Sequence, residues 1–139
     1  MNHLSKLVYS AIDQKEVELF IRSKRNGAYV SFNGEVRNHS KGESVLYLEF
    51  EAYEPMALKE MDKLIAQAAA KWSIESAAIV HRLDRVEIGE SAVFIAVGSS
   101  HRKEAFAACQ FLIDELKKSV PIWKKEYCTN GSVWVSAYP

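Results

Sequence analysis

Residues 99–125 read SSHRKEAFAACQFLIDELKKSVPIWKK and hold most of the side chains able to do chemistry. His101 and Arg102 open a helix-patterned run, at the end where the helix dipole is positive and cations are disfavoured. Free backbone N–H groups, an imidazole and a guanidinium meeting there would make an anion site. The plainer reading is a surface pair that costs the helix a few tenths of a kcal/mol. At the other end Lys117 and Lys118 complement the negative pole of the dipole, but they point different ways. Taking Cys109 as the centre of the apolar stripe, Lys118 falls about 180° away and Lys117 about 80° away, at the border of the buried face. A lysine partly desolvated at such a border has a lowered pKa and can move protons or stabilise charge. Beyond Pro121, Lys124 shares a strand face with Ile122, while Trp123 and Lys125 face the other way. Lys124 on an edge strand and Arg37 in a polar loop are, taken singly, ordinary solvated cations.

The elements that must position these groups follow from periodicity. Ala105, Cys109, Leu112, Ile113 and Leu116 recur at steps of three, four and seven, so a helix fills the run between Ser99 or Ser100, its cap, and Pro121, its stop. A short strand over residues 6–11 precedes a helix capped by Asp13. AYVSFNGEVRN alternates, placing Ala28, Val30, Phe32, Gly34 and Val36 on one face, and Gly34 signals a bulge or a close backbone approach. The polar run RNHSKGES reads as a mobile loop before the strand VLYLEFEAY. Pro55 then starts a long helix with the stripe Ala57, Met61, Leu64, Ile65, Ala68 and Trp72. Strands over residues 77–84 and 92–99 follow, and Asn130-Gly131 joins two last strands in a hairpin. The sum is a single α+β domain over residues 1–139, with a mixed or antiparallel sheet, about three helices and a C-terminal β-hairpin.

The 139 residues carry eighteen basic and eighteen acidic side chains, so no global field favours nucleic acid or an anionic membrane. No apolar run reaches the length of a membrane span, and the first twenty residues lack the pattern of a secretory signal, so the chain reads as cytoplasmic. Cys109 and Cys128 have no metal-ligand spacing, and Cys109, in the apolar stripe, reads as a structural thiol. His81, inside AAIVHRLD, reads as a structural or surface histidine with no second ligand nearby. Glu49, Glu51 and Glu54 read as a solvated face. There is no glycine-rich phosphate loop, nucleophile elbow or zincin motif. No metal and no cofactor is expected. From the residues alone, this is a small α+β domain with a cationic site for an anionic ligand.

FNGEVRNHSKGESV, YEPMA, IVHR, SSHR and LKKSVPIWKKE together resemble the large, catalytic subunit of molybdopterin synthase, in the same order and over nearly the whole chain. The resemblance implies an α/β-hammerhead type of fold and an enzyme that converts cyclic pyranopterin monophosphate into molybdopterin by adding the two dithiolene sulfurs. It implies a small ubiquitin-like sulfur-carrier partner whose C-terminal Gly-Gly thiocarboxylate enters the pocket, and a homodimer of large subunits within a heterotetramer. On the same basis Lys117 and Lys124 match the family's two active-site lysines. Arg37, His101 and Arg102 match its anion-binding residues, and Phe32 an aromatic beside them. Lys117 would polarise the thiocarboxylate carbonyl or manage protons while sulfur attacks the pterin side chain. Tyr138 and Pro139 stand where the family often carries basic residues. A domain that kept the pocket without the chemistry, as a binding module for a phosphorylated metabolite, is the competing expectation; keeping both lysines argues against it.

Overall fold

The computed structural model describes residues 1–139, in the order β1 (Asn2–Val8), α1 (Gln14–Ile21), β2 (Ala28–Glu35), β3 (His39–Ser40), β4 (Glu43–Ala52), α2 (Glu54–Lys71), β5 (Ser76–Arg82), β6 (Asp84–Glu87), β7 (Ser91–Ser99), α3 (Arg102–Ser119), β8 (Ile122–Cys128) and β9 (Val133–Ser136). Two sheets form. In the first, of order β1-β5-β7-β2, β1 runs parallel to β5 and the other pairs are antiparallel. In the second, of order β3-β4-β8-β9, β6 adds to β4 and every pair is antiparallel.

The first sheet is covered on both faces, which is why β5 and β7 are nearly continuous apolar runs. Ala77, Ile79, Val93, Ile95 and Val97 face α2 and α3 in the main core, joined there by Ala57, Met61, Leu64, Ile65 and Ala68 from α2 and by Ala108, Cys109, Leu112, Ile113 and Leu116 from α3. Ala78, Val80, Phe94 and Ala96 point the other way, onto Val17 and Ile21 of α1. The two helical stripes expected from periodicity are thus the faces that pack, and α1 starts where Asp13 accepts a hydrogen bond from the Glu16 N–H.

Four local expectations change. The first strand begins at Asn2 and ends at Val8, because its parallel pairing runs from Asn2 against Ser76 to Val8 against Arg82. The expected strand over residues 77–84 breaks at Leu83: Asp84 has φ of 66°, and the chain leaves the first sheet there to begin β6 in the second. The polar loop after Arg37 contains a tight hairpin, in which His39 and Ser40 pair with Ser44 and Glu43 across Lys41 and Gly42, both at positive φ. The cap of α3 is His101, with no side-chain cap bond; the Ser99 hydroxyl, fully buried, donates to the His101 carbonyl instead.

Gly34 fulfils both of its expectations. The β2–β7 register shifts between Gly34 and Glu35, and a Cβ at Gly34 would lie 2.6 Å from Val93 Cγ1 and 3.2 Å from the Phe32 ring. The final hairpin turns at Gly131, φ 86°, with the Asn130 side-chain Oδ1 accepting from the Ser132 N–H at 2.9 Å.

Candidate functional site

The two sheets and the C-terminal end of α3 meet around a cavity of about 310 Å³. Its lining mixes apolar side chains, Phe32, Leu48, Phe50, Val93, Ile113 and Leu116, with polar ones: Arg37 where β2 ends, His39 and Ser40 from the small hairpin, Lys117 from α3, and Lys124 and Glu126 from β8, the last two directly across from Phe50 and Leu48 of β4. Each polar group arrives by the rule of its element. Lys117 sits at the edge of the α3 stripe, one residue after buried Leu116, and turns into the cavity. Lys118 lies on the far side, 70% exposed in its side chain and paired with Glu115 at 3.6 Å. On β8, Ile122, Lys124 and Glu126 share the inward face, while Trp123 is exposed and Lys125 pairs with Glu51 at 3.3 Å.

Three cations therefore share one cavity with a single close carboxylate. Lys124 Nζ lies 3.3 Å from Glu126 Oε1, and the Glu126 side chain is only 7% exposed. Burial by itself would raise the Glu126 carboxyl, but a hydrogen bond from Ser40 and the ammonium of Lys124 overcome it, and its pKa is held below the ordinary carboxylate value. Lys117 has no such partner. Desolvation lowers its pKa, and the neighbouring charges of Lys124 and Arg37 lower it further. Its ammonium donates one hydrogen bond, to the Pro139 carbonyl at 3.4 Å. A depressed lysine between two cations binds an anion well and yields a proton more readily than a solvated one.

His81 is buried and lines the same cavity, its Nδ1 2.8 Å from the Arg82 carbonyl and its ring edge-on to Phe50 at 4.9 Å between centroids. Desolvation lowers its pKa to about 4; the Arg82 carbonyl opposes this and the charge of Lys117 adds to it. The thiols stay out of the chemistry: Cys109 and Cys128 are free and buried, and burial raises the Cys109 pKa to about 11. No group of three His, Cys, Asp or Glu side chains is placed to hold a metal ion.

Of the residues singled out in the sequence, the fold brings together Phe32, Arg37, Lys117 and Lys124. It does not bring His101 and Arg102 to them within one chain. Both are exposed at the start of α3, and fifteen residues of helix put Arg102 about 22 Å from Lys117 along the axis. Glu126 and Ser40 are cavity residues that sequence reasoning passed over, and His81 is one that it read as a structural or surface histidine. The signal for Glu126 was the two-residue step from Lys124 on one strand face; Ser40 and His81 gave none, since only the tertiary fold turns them inward.

Comparison with known proteins gives the family. Residues 7–119 match the MoaE protein family. The chain is 46% identical over 115 residues to the molybdopterin synthase catalytic subunit of Arabidopsis thaliana, covering 83% of this chain and 58% of that one. It is 39% identical over 140 residues to the catalytic subunit of Bacillus subtilis, covering 96% and 89% of the two chains. The crystal structure of molybdopterin synthase from Staphylococcus aureus superposes with a TM-score of 0.89 at 37% identity, over 95% of this chain and 96% of that one. A complex of subunits 1 and 2 of molybdopterin-converting factor from Helicobacter pylori superposes with a TM-score of 0.75 at 25% identity, over 91% and 86%. The chain belongs to the MoaE family, whose relatives here are molybdopterin synthase catalytic subunits, enzymes of molybdenum cofactor biosynthesis.

Proposed function

We propose that this chain transfers sulfur from the C-terminal thiocarboxylate of a small ubiquitin-like carrier subunit to cyclic pyranopterin monophosphate, forming the dithiolene of molybdopterin. The observation that carries this reading is the convergence of Arg37, Lys117 and Lys124 on one cavity that apolar side chains also line. Such a cavity suits a ligand with an unsaturated ring at one end and a phosphate at the other. Lys117, desolvated and crowded by like charge, is the group that polarises the thiocarboxylate carbonyl or holds the proton as sulfur attacks. Lys124, steadied by Glu126, and Arg37 hold the phosphate and the charge of the acyl intermediate, which water then cleaves. With both cysteines buried, the sulfur arrives on the partner.

His101 and Arg102 enter the same reading through assembly. In a homodimer of large subunits, the α3 start of one chain lies at the cavity of its mate and completes the anion site. The heterotetramer is then this homodimer with one carrier subunit on each chain. We place the reaction in the cytoplasm, whose reducing conditions keep thiols such as Cys109 and Cys128 unpaired.

The test is conversion of cyclic pyranopterin monophosphate by the wild-type chain with thiocarboxylated carrier, beside Lys117→Ala. Dithiolene product from wild type and almost none from the variant is the expected result. No product from either, with the carrier shown to bind, would replace the enzyme by a binding module for a phosphorylated metabolite.

A further inference from the structure

His81 is the buried titratable group that this mechanism leaves without work. On β5 the residues facing α2 and α3 are Ala77 and Ile79, both in the main core, and His81 is the next on that face. The apolar row therefore runs out at the cavity, and the side chain closing it is polar. Its orientation is fixed. The Arg82 carbonyl can only accept, so Nδ1 carries the proton and donates, while Phe50 packs edge-on against the ring. In the neutral ring Nε2 is then a bare acceptor, and no group of the protein donates to it.

A histidine kept only for packing leaves this unexplained: Nε2 is not one of the polar atoms sealed from solvent without a partner, so it opens to the cavity that His81 lines, where an apolar side chain would pack as well. The rest of the cavity explains it. Arg37, Lys117 and Lys124 are donors only, and the one close carboxylate, Glu126, is occupied by Lys124 and Ser40. Glu35 and His39 stand at the exposed rim. Apart from the Pro139 oxygen, which accepts from Lys117, the Asn33 amide oxygen, which accepts from Ser91, and the Ser40 hydroxyl, the polar side chains a heterocycle would meet inside the cavity are donors except at His81. We propose that His81 is the acceptor that orients the substrate ring: its Nε2 lone pair, on the inner wall of the cavity, receives an N–H or O–H of the bound heterocycle whose phosphate lies toward Arg37 and the two lysines. The ligand class is a fused nitrogen heterocycle with a ring N–H donor, so the inference rests on the pterin reading for the identity of its substrate.

The experiment compares wild type, His81→Phe and His81→Gln, each with the carrier subunit, in steady-state turnover of cyclic pyranopterin monophosphate. Phenylalanine keeps the ring volume without the acceptor, and glutamine restores a neutral acceptor. His81→Phe is expected to raise KM for the pterin about tenfold with carrier binding unchanged, and His81→Gln to recover most of that loss. An unchanged KM in His81→Phe, or a glutamine variant as poor as phenylalanine, would overturn the proposal. A second measurement uses the wild-type chain alone and so does not depend on either variant folding. In isotope-labelled imidazole, adding cyclic pyranopterin monophosphate should move the Nε2 resonance of His81 and leave Nδ1 in place. A stationary Nε2 resonance with the ligand bound overturns the assignment. Absence of product in the wild-type reaction would instead count against sulfur transfer, and the resonance shift would still decide the role of His81.

Discussion

Lys124 and Glu126 stand two residues apart on the inward face of β8, their charged ends 3.3 Å apart and the carboxylate almost wholly buried. The pair fixes the direction of Lys124, since the buried carboxylate is itself held in the wall of the cavity. Glu126→Gln should therefore lower kcat by about tenfold or more while leaving the chain folded, because the lysine keeps its charge and loses its guide. The carboxyl titrates below its ordinary value, so its stabilising contribution is complete above the unfolded-state pKa and fades as pH falls through the lower folded-state value. Thermal melts across the acidic range should show wild type losing part of its advantage over Glu126→Gln there.

Lys117 and Lys118 are adjacent in sequence and opposite in environment. Lys117→Ala should cut product formation by about 100-fold or more, whereas Lys118→Ala should leave it within about twofold. A further consequence concerns charge. Lys124 and Arg37 both depress the Lys117 pKa, so Lys124→Met should move the titration of Lys117 upward, toward an ordinary lysine. Resonances of isotope-methylated lysines followed against pH would show the direction; a downward movement would mean that Lys124 acts on Lys117 through something other than its charge.

Spacing alone gave the faces on which the two cavity lysines lie, the family resemblance gave their place in the site, and the rest shows what spacing lacks. The helical wheel separated Lys117 from Lys118, and strand alternation separated Lys124 from Trp123 and Lys125, because each depends only on local geometry. The helices, the terminal hairpin and the irregularity at Gly34 were legible for the same reason. Partition of the strands into two sheets was not, since the chain changes sheet at Asp84 in a left-handed conformation that aspartate tolerates but does not by itself signal inside a strand-like run. Nor was the burial of His81, which comes from the packing of Phe50 in β4, on the other sheet, against β5. His101 and Arg102 drew notice for their place against the helix dipole; their distance from Lys117 is a matter of helix length.

Gly34 is a packing device for Phe32. In Gly34→Ala the new methyl would meet Val93 Cγ1 at 2.6 Å and the Phe32 ring at 3.2 Å, so one of them must move. The expected cost is about 1–3 kcal/mol in denaturant unfolding, with KM for the pterin raised as Phe32 shifts. Adding Val93→Ala should return part of the stability, because it removes the closer clash; equal losses in the single and double variants would point to backbone rather than side-chain crowding.

His81 also sets an acid limit on the fold. Its pKa lies at about 4 in the folded chain against 6.5 when free, so the unfolded state binds more protons between those values. Stability therefore rises with pH through that window and is lost as pH falls, by roughly 3 kcal/mol at the low end. Urea unfolding of wild type should show this slope between pH 6.5 and about pH 4, and His81→Phe should flatten it. An identical slope in the variant would assign the acid sensitivity to carboxylates such as Glu126.

The separation of Arg102 from Lys117 yields the sharpest test of assembly. If the start of α3 serves the cavity of the mate, each active site draws Lys117 from one chain and Arg102 from the other. Lys117→Ala and Arg102→Ala homodimers should then both be nearly inactive. A mixed dimer contains one site with both defects and one with neither. Statistical re-pairing of equal amounts would make half the dimers mixed, each with one intact site, and so restore about a quarter of wild-type product formation. Were the two residues to act within one chain, every site in every dimer would carry a defect, and mixing would restore nothing. Measuring dithiolene product before and after subunit exchange separates these outcomes, and size-exclusion chromatography of differently tagged chains confirms that exchange took place.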